Sequence, residues 1–487
     1  MPGRSSSLGP LVLTKSSALS DAASGVGFQS WVQAKFGGFF LAPGLRQIIP
    51  PISVSATGGT GARFEVISIW VRQAALITIL VLVGSAPGRI LAGEPPGQMT
   101  PNRALWPDSI SSAAEFDRAS RAEILAFAHA LAESEKLGDD ALKDRLRVDG
   151  AMDIASIQRL RRKLWKILDG NYVIASAACA AHEAFCPTDS HPNDLRDEAE
   201  AFSASSIEPR YRPWFDDATA FQRSYLDELL RLAAVFPRFN SEVETLNDNE
   251  FAGWGLPDRH FLLSFDDGPT RGPGHPEPNA EDTDRTIEMV RSNRVNAVFF
   301  VMGKTFQARL QESSAGAMKA LYSGLCVGAH GWVHKSHALW PQWQDSISST
   351  ASLIKETLPE SYVPAFRPPY GQRPSDSGPF FRRLGLKVVL WNIESHDWND
   401  DLTPDDVRQR VMSLMLLWRR GFVLFHDVHP RARVVVPQLI SWLAHDGITW
   451  TDCHVIGDPG GDLAAAPSGP EKMHPGIDRF PLGAQRP

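Results

Sequence analysis

Residues that can do acid–base and metal chemistry cluster after the β-rich runs in the carboxyl-terminal half of the chain. Five predicted strands are followed by such residues, in the segments Asp266-Asp267, His330–His334, Arg367–Tyr370, Glu394–Trp398 and His426-Asp427. The carboxyl ends of parallel strands meet at one rim of a β/α barrel. The grouping therefore predicts an active site at that rim, because chance would also place these residue types on helix faces.

One carboxylate and two histidines predict a divalent-metal site. His330 and His334 are four residues apart, so they share one face of a helical turn. Two imidazoles and a carboxylate, with a fourth position left to water, form a typical catalytic zinc set. Asp267 supplies the carboxylate, and His337 lies close enough in sequence to compete for either imidazole position.

The neighbouring carboxylates Asp266 and Asp267 suit two different tasks. Adjacent residues leave a strand in different directions, so they cannot form a glycosidase pair, whose carboxyl groups flank one bond at roughly 5 Å or more. Asp267 can hold the metal while Asp266 takes a proton. The alternative is a simple turn, since Asp-Asp-Gly-Pro is typical turn chemistry.

His426 is a candidate general acid because it follows the apolar run Phe422–Phe425 at a strand end. A carboxylate partner would fix its tautomer and raise its pKa, and Asp397 is the natural partner. A fourth metal ligand or a core histidine is the alternative.

Arg367 is predicted to keep Asp266 ionised, since a guanidinium pairs bidentately with a carboxylate. A residue before proline favours extended geometry, so the two prolines after Arg367 stiffen this backbone. A rigid backbone can aim an N–H group at a developing oxyanion. The alternative is a surface arginine in a proline turn.

Strand and helix patterns alternate from Phe261 onwards. The predicted strands are Phe261–Phe265, Ala297–Val301, Leu325–Ala329, Ala365–Arg367, Lys387–Asn392, Phe422–Phe425 and Ile448–Cys453. Predicted helices lie near residues 283–293, 307–323, 343–357, 376–384, 404–419 and 434–445. The alternation predicts an α/β fold with a parallel sheet and right-handed crossovers. Seven strands are one fewer than an eight-fold barrel requires.

The amino-terminal residues predict export. Arg72 precedes the apolar run Ala74–Val83, and small residues follow, which is typical of a signal peptide. Either translation starts near Val66, or the run is an uncleaved anchor; a buried core segment is the third alternative. The predicted organisation is a low-complexity leader that translation could omit (1–65), a signal peptide or anchor (66–93), a linker (94–108), a helical accessory domain (109–250), a catalytic domain (251–457) and a disordered tail (458–487).

Composition narrows the class of protein. The 487 residues are 43 % hydrophobic and 22 % charged, with a net charge of −7. These values indicate a globular protein, and the absence of a basic block argues against nucleic-acid binding. Of the four cysteines, Cys179 and Cys186 could form a local disulfide in an exported protein, the alternative being four separate thiols.

Five segments, in chain order, resemble the motifs of the polysaccharide deacetylases of carbohydrate esterase family four, also called the NodB-homology family. They are Ser264–Pro269, His330–His334, Arg367–Tyr370, Glu394–Trp398 and Leu424–His426. The resemblance covers residues 256–456. It implies a distorted (β/α)7 barrel, in agreement with the seven predicted strands.

The resemblance also implies a role for each matched residue. These are Asp266 as base; Asp267, His330 and His334 as metal ligands; Arg367 and Asp397 as partners of base and acid; His426 as acid; Tyr370 as a backbone N–H donor beside the substrate; Trp398 as groove lining; and Leu424 as acetyl-pocket lining. Three positions depart from the motifs. Ser264 replaces Thr, Gly331 replaces a Ser or Thr that would brace the metal loop, and Glu394 replaces Asp.

The expected protein is an exported, metal-dependent hydrolase that releases acetate from N-acetyl groups of an amino-sugar glycan. Peptidoglycan, chitin-like chains and exopolysaccharides all fit, with no nucleic-acid partner and membrane contact only through the amino-terminal segment. Zinc is the expected ion, with cobalt, nickel or manganese as alternatives, and the oligomeric state stays open. The alternatives are a deacylase of O-acetyl groups or other amides, a non-catalytic glycan-binding protein, and a scaffold that binds partners through residues 109–246.

Overall fold

The computed structural model describes residues 97–180, 183–187, 195–236, 245–444 and 446–457. The predicted leader, the predicted signal or anchor segment and the predicted tail lie outside these residues. Among the described residues, no helix combines the length and apolar character needed to cross a membrane.

The described residues before 245 form helices joined by loops. They are α1 (Ala113–Glu135), α2 (Asp139–Arg145), α3 (Ile154–Ser176), α4 (Leu195–Ala201) and α5 (Arg212–Val235). Helix α1 begins where the Ser112 hydroxyl accepts the Glu115 N–H, which satisfies a donor left free by the helix start. Residues 137–154, including α2, belong to a separate compact unit, whereas the remaining helices belong to the unit that contains the sheet.

The carboxyl-terminal half forms a parallel half-barrel sheet. Its strands are β1 (Glu250–Phe251), β2 (His260–Asp266), β3 (Ala297–Val301), β4 (Cys326–Ala329), β5 (Tyr362–Phe366), β6 (Lys387–Val389), β7 (Ile393–Glu394), β8 (Gly421–His426) and β9 (Thr449–Trp450). The order is β1-β6-β5-β4-β3-β2-β8-β7, with β9 also paired to β2, and every pairing is parallel. The predicted α/β fold with a parallel sheet is confirmed.

Helices follow the strands as predicted, with one difference. They are α6 (Asp282–Ser292), α7 (Gly303–Glu312), α8 (Ala315–Tyr322), α9 (Trp343–Thr357), α10 (Gly378–Leu384), α11 (Pro404–Trp418) and α12 (Arg431–Trp442). The single helix predicted near 307–323 is two helices, because Ser313 leaves helical geometry and the Ser314 hydroxyl caps α8 by accepting the Ala317 N–H.

Because side chains alternate along a strand, the polar residues lie on the same face as the apolar core, at its carboxyl end. In β2, Leu262 lies in the buried apolar cluster of the half-barrel, and Ser264 and Asp266 follow on the same face. In β8, Phe422 and Leu424 lie in that cluster and His426 follows on that face. The interior face therefore changes from apolar to ionisable at the carboxyl ends of the strands.

Helices α1, α3 and α5 share a core with barrel helix α11. The Trp418 indole, fully buried, donates to the Tyr225 hydroxyl at 3.0 Å. The Ser120 hydroxyl donates to the Leu416 carbonyl at 2.7 Å, and the Asn171 amide donates to the Trp418 carbonyl at 3.1 Å. The proposed boundary at residue 250 stays a prediction, but these contacts make the two parts mutually dependent for burial.

All four cysteines form disulfides. Cys179 pairs with Cys186, as one of the two sequence alternatives predicts, and Cys326 pairs with Cys453 across 127 residues. The alternative of four separate thiols is wrong. Disulfides of this kind are typical of proteins in oxidising compartments.

Candidate active site

One carboxylate and two imidazoles converge at the carboxyl end of the sheet. Asp267 Oδ1 lies 3.4 Å from His330 Nε2 and 3.5 Å from His334 Nε2. Asp267 directly follows β2 and has a left-handed backbone (φ 79°). The structure thus brings together the three predicted metal ligands.

The far nitrogens of both histidines have partners. His330 Nδ1 lies 2.8 Å from the Arg367 carbonyl, to which it donates its proton, so Nε2 is the nitrogen that faces Asp267. His334 Nδ1 lies 3.1 Å from the Tyr370 hydroxyl, and the two rings contact each other at 4.5 Å. Partners on the far nitrogen orient metal-binding histidines in this way.

The arrangement fits a divalent cation. Asp267 Oδ1 is buried and accepts no hydrogen bond from any described residue. Burial opposes its ionisation, but the imidazoles of His334 and His330 outweigh it and lower the pKa of Asp267 far below its usual value. An ionised oxygen that faces two ring nitrogens needs a positive charge between them, and two histidines with one carboxylate are a typical zinc donor set.

Asp266, the last residue of β2, lies beside the cradle formed by Asp267, His330 and His334. Its Oδ1 accepts a hydrogen bond from Arg367 at 2.9 Å, and its Oδ2 lies 3.8 Å from His330 Nε2. Arg367 is fully buried and also donates to the Ser264 hydroxyl at 2.8 Å. The Ser264 hydroxyl therefore helps to hold the Arg367 guanidinium beside Asp266, a role that needs a hydroxyl at this position.

His426 and Asp397 form a second buried pair at the rim. His426 Nδ1 lies 2.7 Å from Asp397 Oδ1, and the His426 backbone N–H donates to Asp397 Oδ2 at 2.9 Å. Burial opposes protonation of His426, but Asp397 outweighs it and raises the pKa of His426 to about 10. Nδ1 is thereby committed to Asp397, which leaves Nε2 as the second N–H of a charged ring.

Two aromatic side chains remain exposed near these groups. Tyr370 and Trp398 are each 42 % exposed, and the Trp398 indole donates to Glu394 at 3.0 Å. Tyr370 also has a left-handed backbone (φ 59°) inside the Pro369–Gly371 turn. Leu424 is buried in the apolar cluster directly below the site.

His337 does not join the two metal-site histidines. It is completely buried, its Nε2 lies 3.0 Å from the Ser346 hydroxyl, and burial lowers its pKa to about 3. The same hydroxyl accepts the Trp332 N–H at 2.7 Å. Ser346 thus braces the loop after β4, where Gly331 lacks a hydroxyl of its own.

Sequence reasoning missed a contact between the helical segment and the site. Glu228 of α5 lies 3.1 Å from His396, in the loop that carries Asp397. No sequence motif marks Glu228, because only the packing of α5 brings it there. The Cys326–Cys453 bridge could have been found by elimination, since one local pair leaves two cysteines in an exported chain.

Comparison with known proteins shows which family the carboxyl-terminal half resembles. Residues 255–389 match the family model of the polysaccharide deacetylases. The match contains Asp266, Asp267, His330, His334, Arg367 and Tyr370. The match supports the resemblance of this region to the polysaccharide deacetylases of carbohydrate esterase family four.

Three curated relatives show how far the similarity extends. A peptidoglycan-N-acetylglucosamine deacetylase of Bacillus cereus is 24 % identical over 201 residues, which cover 39 % of this chain and 68 % of the relative. The peptidoglycan-N-acetylmuramic acid deacetylase PdaC of Bacillus subtilis is 26 % identical over 38 % of this chain and 36 % of the relative. Chitin deacetylase 1 of Saccharomyces cerevisiae is 27 % identical over 41 % of this chain and 62 % of the relative. The chain thus spans about a third to two thirds of the length of these relatives.

Proposed function

We propose that the protein hydrolyses N-acetyl groups of an amino-sugar glycan outside the cytoplasm and releases acetate. The observation that carries this proposal is the cradle of Asp267, His330 and His334, with Asp266 on one side. The relatives support it, since their names describe deacetylases of peptidoglycan and chitin. The two disulfides support export.

We propose Asp267, His330 and His334 as the ligands of a divalent cation, with zinc first and cobalt, nickel or manganese as alternatives. Such a cation supplies a Lewis acid for the acetyl carbonyl and lowers the pKa of water beside it to about 7. The chain's part is to hold both imidazoles rigidly, through the Arg367 carbonyl and the Tyr370 hydroxyl.

Asp266 acts as the base in this proposal. Arg367 binds Oδ1 and leaves Oδ2 on the side of His330, where it can accept the proton of the attacking water. The guanidinium also restrains the carboxylate from rotating, so the accepting oxygen stays in one place. Removing the carboxylate charge should therefore stop turnover without removing the cation.

His426 acts as the acid. A group with a pKa of about 10 is protonated at neutral pH, and a bound cation nearby would lower that value towards the working range of a general acid. Asp397 holds Nδ1, so Nε2 can donate its proton to the departing amine. The Tyr370 backbone N–H is proposed to stabilise the oxyanion, while Trp398 and Leu424 line the sugar and acetyl subsites.

Asp266→Asn tests the proposal. We expect zinc content to match that of the parental protein, while acetate release from an N-acetylated chitooligosaccharide falls by about 10³-fold or more, because the base is lost. Asp216→Asn, an exposed acid on α5, is the matched control. Parental acetate release by Asp266→Asn would contradict the assignment of the base.

Acetate release from a panel of three substrates shows whether an N-acetyl or an O-acetyl bond is cleaved. Acetate release from O-acetylated xylan, with none from chitooligosaccharide or peptidoglycan, would favour the O-acetyl alternative. Zinc binding without acetate release from any of the three would favour a non-catalytic glycan-binding protein.

A further inference from the structure

We propose that Glu228 of helix α5 is a positioning residue for the proposed deacetylation, because through His396 it holds the loop that places Asp397 against His426. This inference rests on the proposed function. It also gives the helical segment a defined role in the reaction.

The loop from Glu394 to Asn399 is held at several points. The Ser395 backbone N–H donates to the Leu424 carbonyl at 3.2 Å, and the Ser395 hydroxyl donates to Asp397 at 3.0 Å. The Trp398 indole donates back to Glu394. The loop thus carries both the carboxylate partner of the acid and the exposed aromatic ring at the rim.

His396 is the strained residue of this loop. Its backbone is left-handed (φ 58°), a conformation that costs energy for any residue with a Cβ. Such a conformation persists only when surrounding contacts determine it. The ring of His396 is buried, packs against Trp398 at 5.4 Å and has its Nε2 3.1 Å from Glu228 Oε1.

Glu228 joins this histidine to a buried arginine. Its Oε2 accepts from Arg410 at 3.1 Å, and Arg410 donates in turn to the Glu394 carbonyl at 3.0 Å. Burial opposes ionisation of Glu228, but Arg410 and His396 outweigh it and lower its pKa to about 2. The ionised carboxylate therefore contacts the loop directly at His396 and, through Arg410, at the Glu394 carbonyl.

Helix α5 fixes the direction of Glu228. Tyr225 and Phe221, one and two turns earlier on α5, lie 5.5 Å and 5.9 Å from the Arg410 guanidinium, measured from their ring centres. The Arg410 side chain is 2 % exposed and lies between these rings and the loop. The contact is therefore built into the packing of α5 on the barrel.

The test compares Glu228→Gln with Asp216→Asn in the full chain. Glu228→Gln keeps the shape of the side chain but loses the charge that binds His396 and Arg410. We expect kcat for chitooligosaccharide to fall by about 10–100-fold, the range found for outer partners of catalytic groups. Zinc content should change little, because the metal cradle is not touched. The factor by which kcat falls should exceed the factor by which KM rises, because Asp397 contacts the acid whereas Trp398 lies at the rim. The unfolding temperature should fall, because the buried Arg410 loses the charge of its partner. Asp216→Asn should match the parental protein throughout.

His396→Gly decides whether Glu228 acts through His396. Glycine adopts the left-handed conformation without cost, so this variant keeps the loop path but loses the ring. In this background Glu228→Gln should lower kcat by a smaller factor than it does alone, because the His396 contact is already lost and only the route through Arg410 remains. Parental kcat in Glu228→Gln, or an equal loss in both backgrounds, would overturn the proposal.

Hydrogen exchange separates this inference from the proposed function. Glu228→Gln should speed amide exchange in residues 394–399, whereas Asp216→Asn should not. If the parental protein releases no acetate, the proposed function fails, and exchange in this loop still decides whether Glu228 holds it. Unchanged exchange there would overturn the positioning role.

Discussion

The two halves of the candidate site are supported differently. The metal and base half, with Asp266, Asp267, His330 and His334, is held entirely by strand ends and loops of the half-barrel, through Arg367 and Tyr370. The acid half, with Asp397 and His426, depends on a loop that contacts Glu228 from the helical segment. The barrel alone therefore accounts for the cation cradle, whereas the geometry of the acid requires both parts of the chain.

This difference indicates how the two functions of the site can be separated. Changes in the acid half should alter turnover and its pH dependence while the cation stays bound. Changes in the metal half should alter cation affinity first. Variants of one half that change turnover and cation affinity equally would contradict the separation of the site into two halves.

Asp397→Asn should have the largest effect on the acid half. Without its charge, burial is the larger influence on His426, so the pKa of His426 falls from about 10. The acid form exists below that pKa, so the upper limb of the kcat–pH profile should move to lower pH. We expect kcat at pH 8 to fall by about 10²–10³-fold, with zinc content unchanged. An unshifted upper limb would contradict the role of His426 as the acid.

Tyr370→Phe should affect the metal half by a smaller amount. It removes the hydroxyl that contacts His334 Nδ1 and leaves the ring. Zinc affinity, measured by competition with a chelator, should fall by about 10–100-fold, whereas kcat with saturating zinc should change little. Tyr362→Phe, on β5, is the control. Unchanged zinc affinity would show that the hydroxyl does not support His334.

Gly331→Ser should have the smallest effect, on stability. The resemblance suggests that a hydroxyl here would brace the metal loop, but the structure predicts the opposite. Gly331 is left-handed (φ 86°), and a Cβ would lie 2.6 Å from the buried His337 ring. We expect a loss of about 1–3 kcal/mol in the free energy of unfolding, measured by denaturant titration.

Gly324→Ser provides the matched control for Gly331→Ser. Gly324 has a similar φ of 77°, but a Cβ there would meet nothing within 4 Å. The difference between the two variants isolates the steric contact with His337. Greater stability in Gly331→Ser than in the parental protein would show that the loop can accept the hydroxyl.

The site residues of both halves could be predicted from the sequence because their signals are local. The apolar runs that end in Asp266 and His426 predict both a strand and the polar residue at its carboxyl end. The spacing of His330 and His334 predicts that they share one face of a helical turn. The parallel sheet then places these ends at one rim. The strands β1 and β7, with two residues each, were too short to show a pattern.

The support of the acid half could not be predicted, because it depends on packing between distant segments. Glu228 is one of several acids on α5, and only the rotation of that helix selects it. Likewise, the sequence shows only that Gly331 lacks the hydroxyl expected at that position. In the structure, Ser346 on α9, fifteen residues later, supplies a hydroxyl to the same loop. When a residue from a distant segment takes over a role in this way, no sequence spacing marks it.

Zinc stoichiometry combined with X-ray absorption spectroscopy tests the central claim most directly. The account predicts one zinc per chain, with two imidazole nitrogens and a carboxylate oxygen at about 2.0–2.2 Å, and loss of this signal in Asp267→Asn. Zinc bound equally by Asp267→Asn, or a parental protein that binds none, would contradict it.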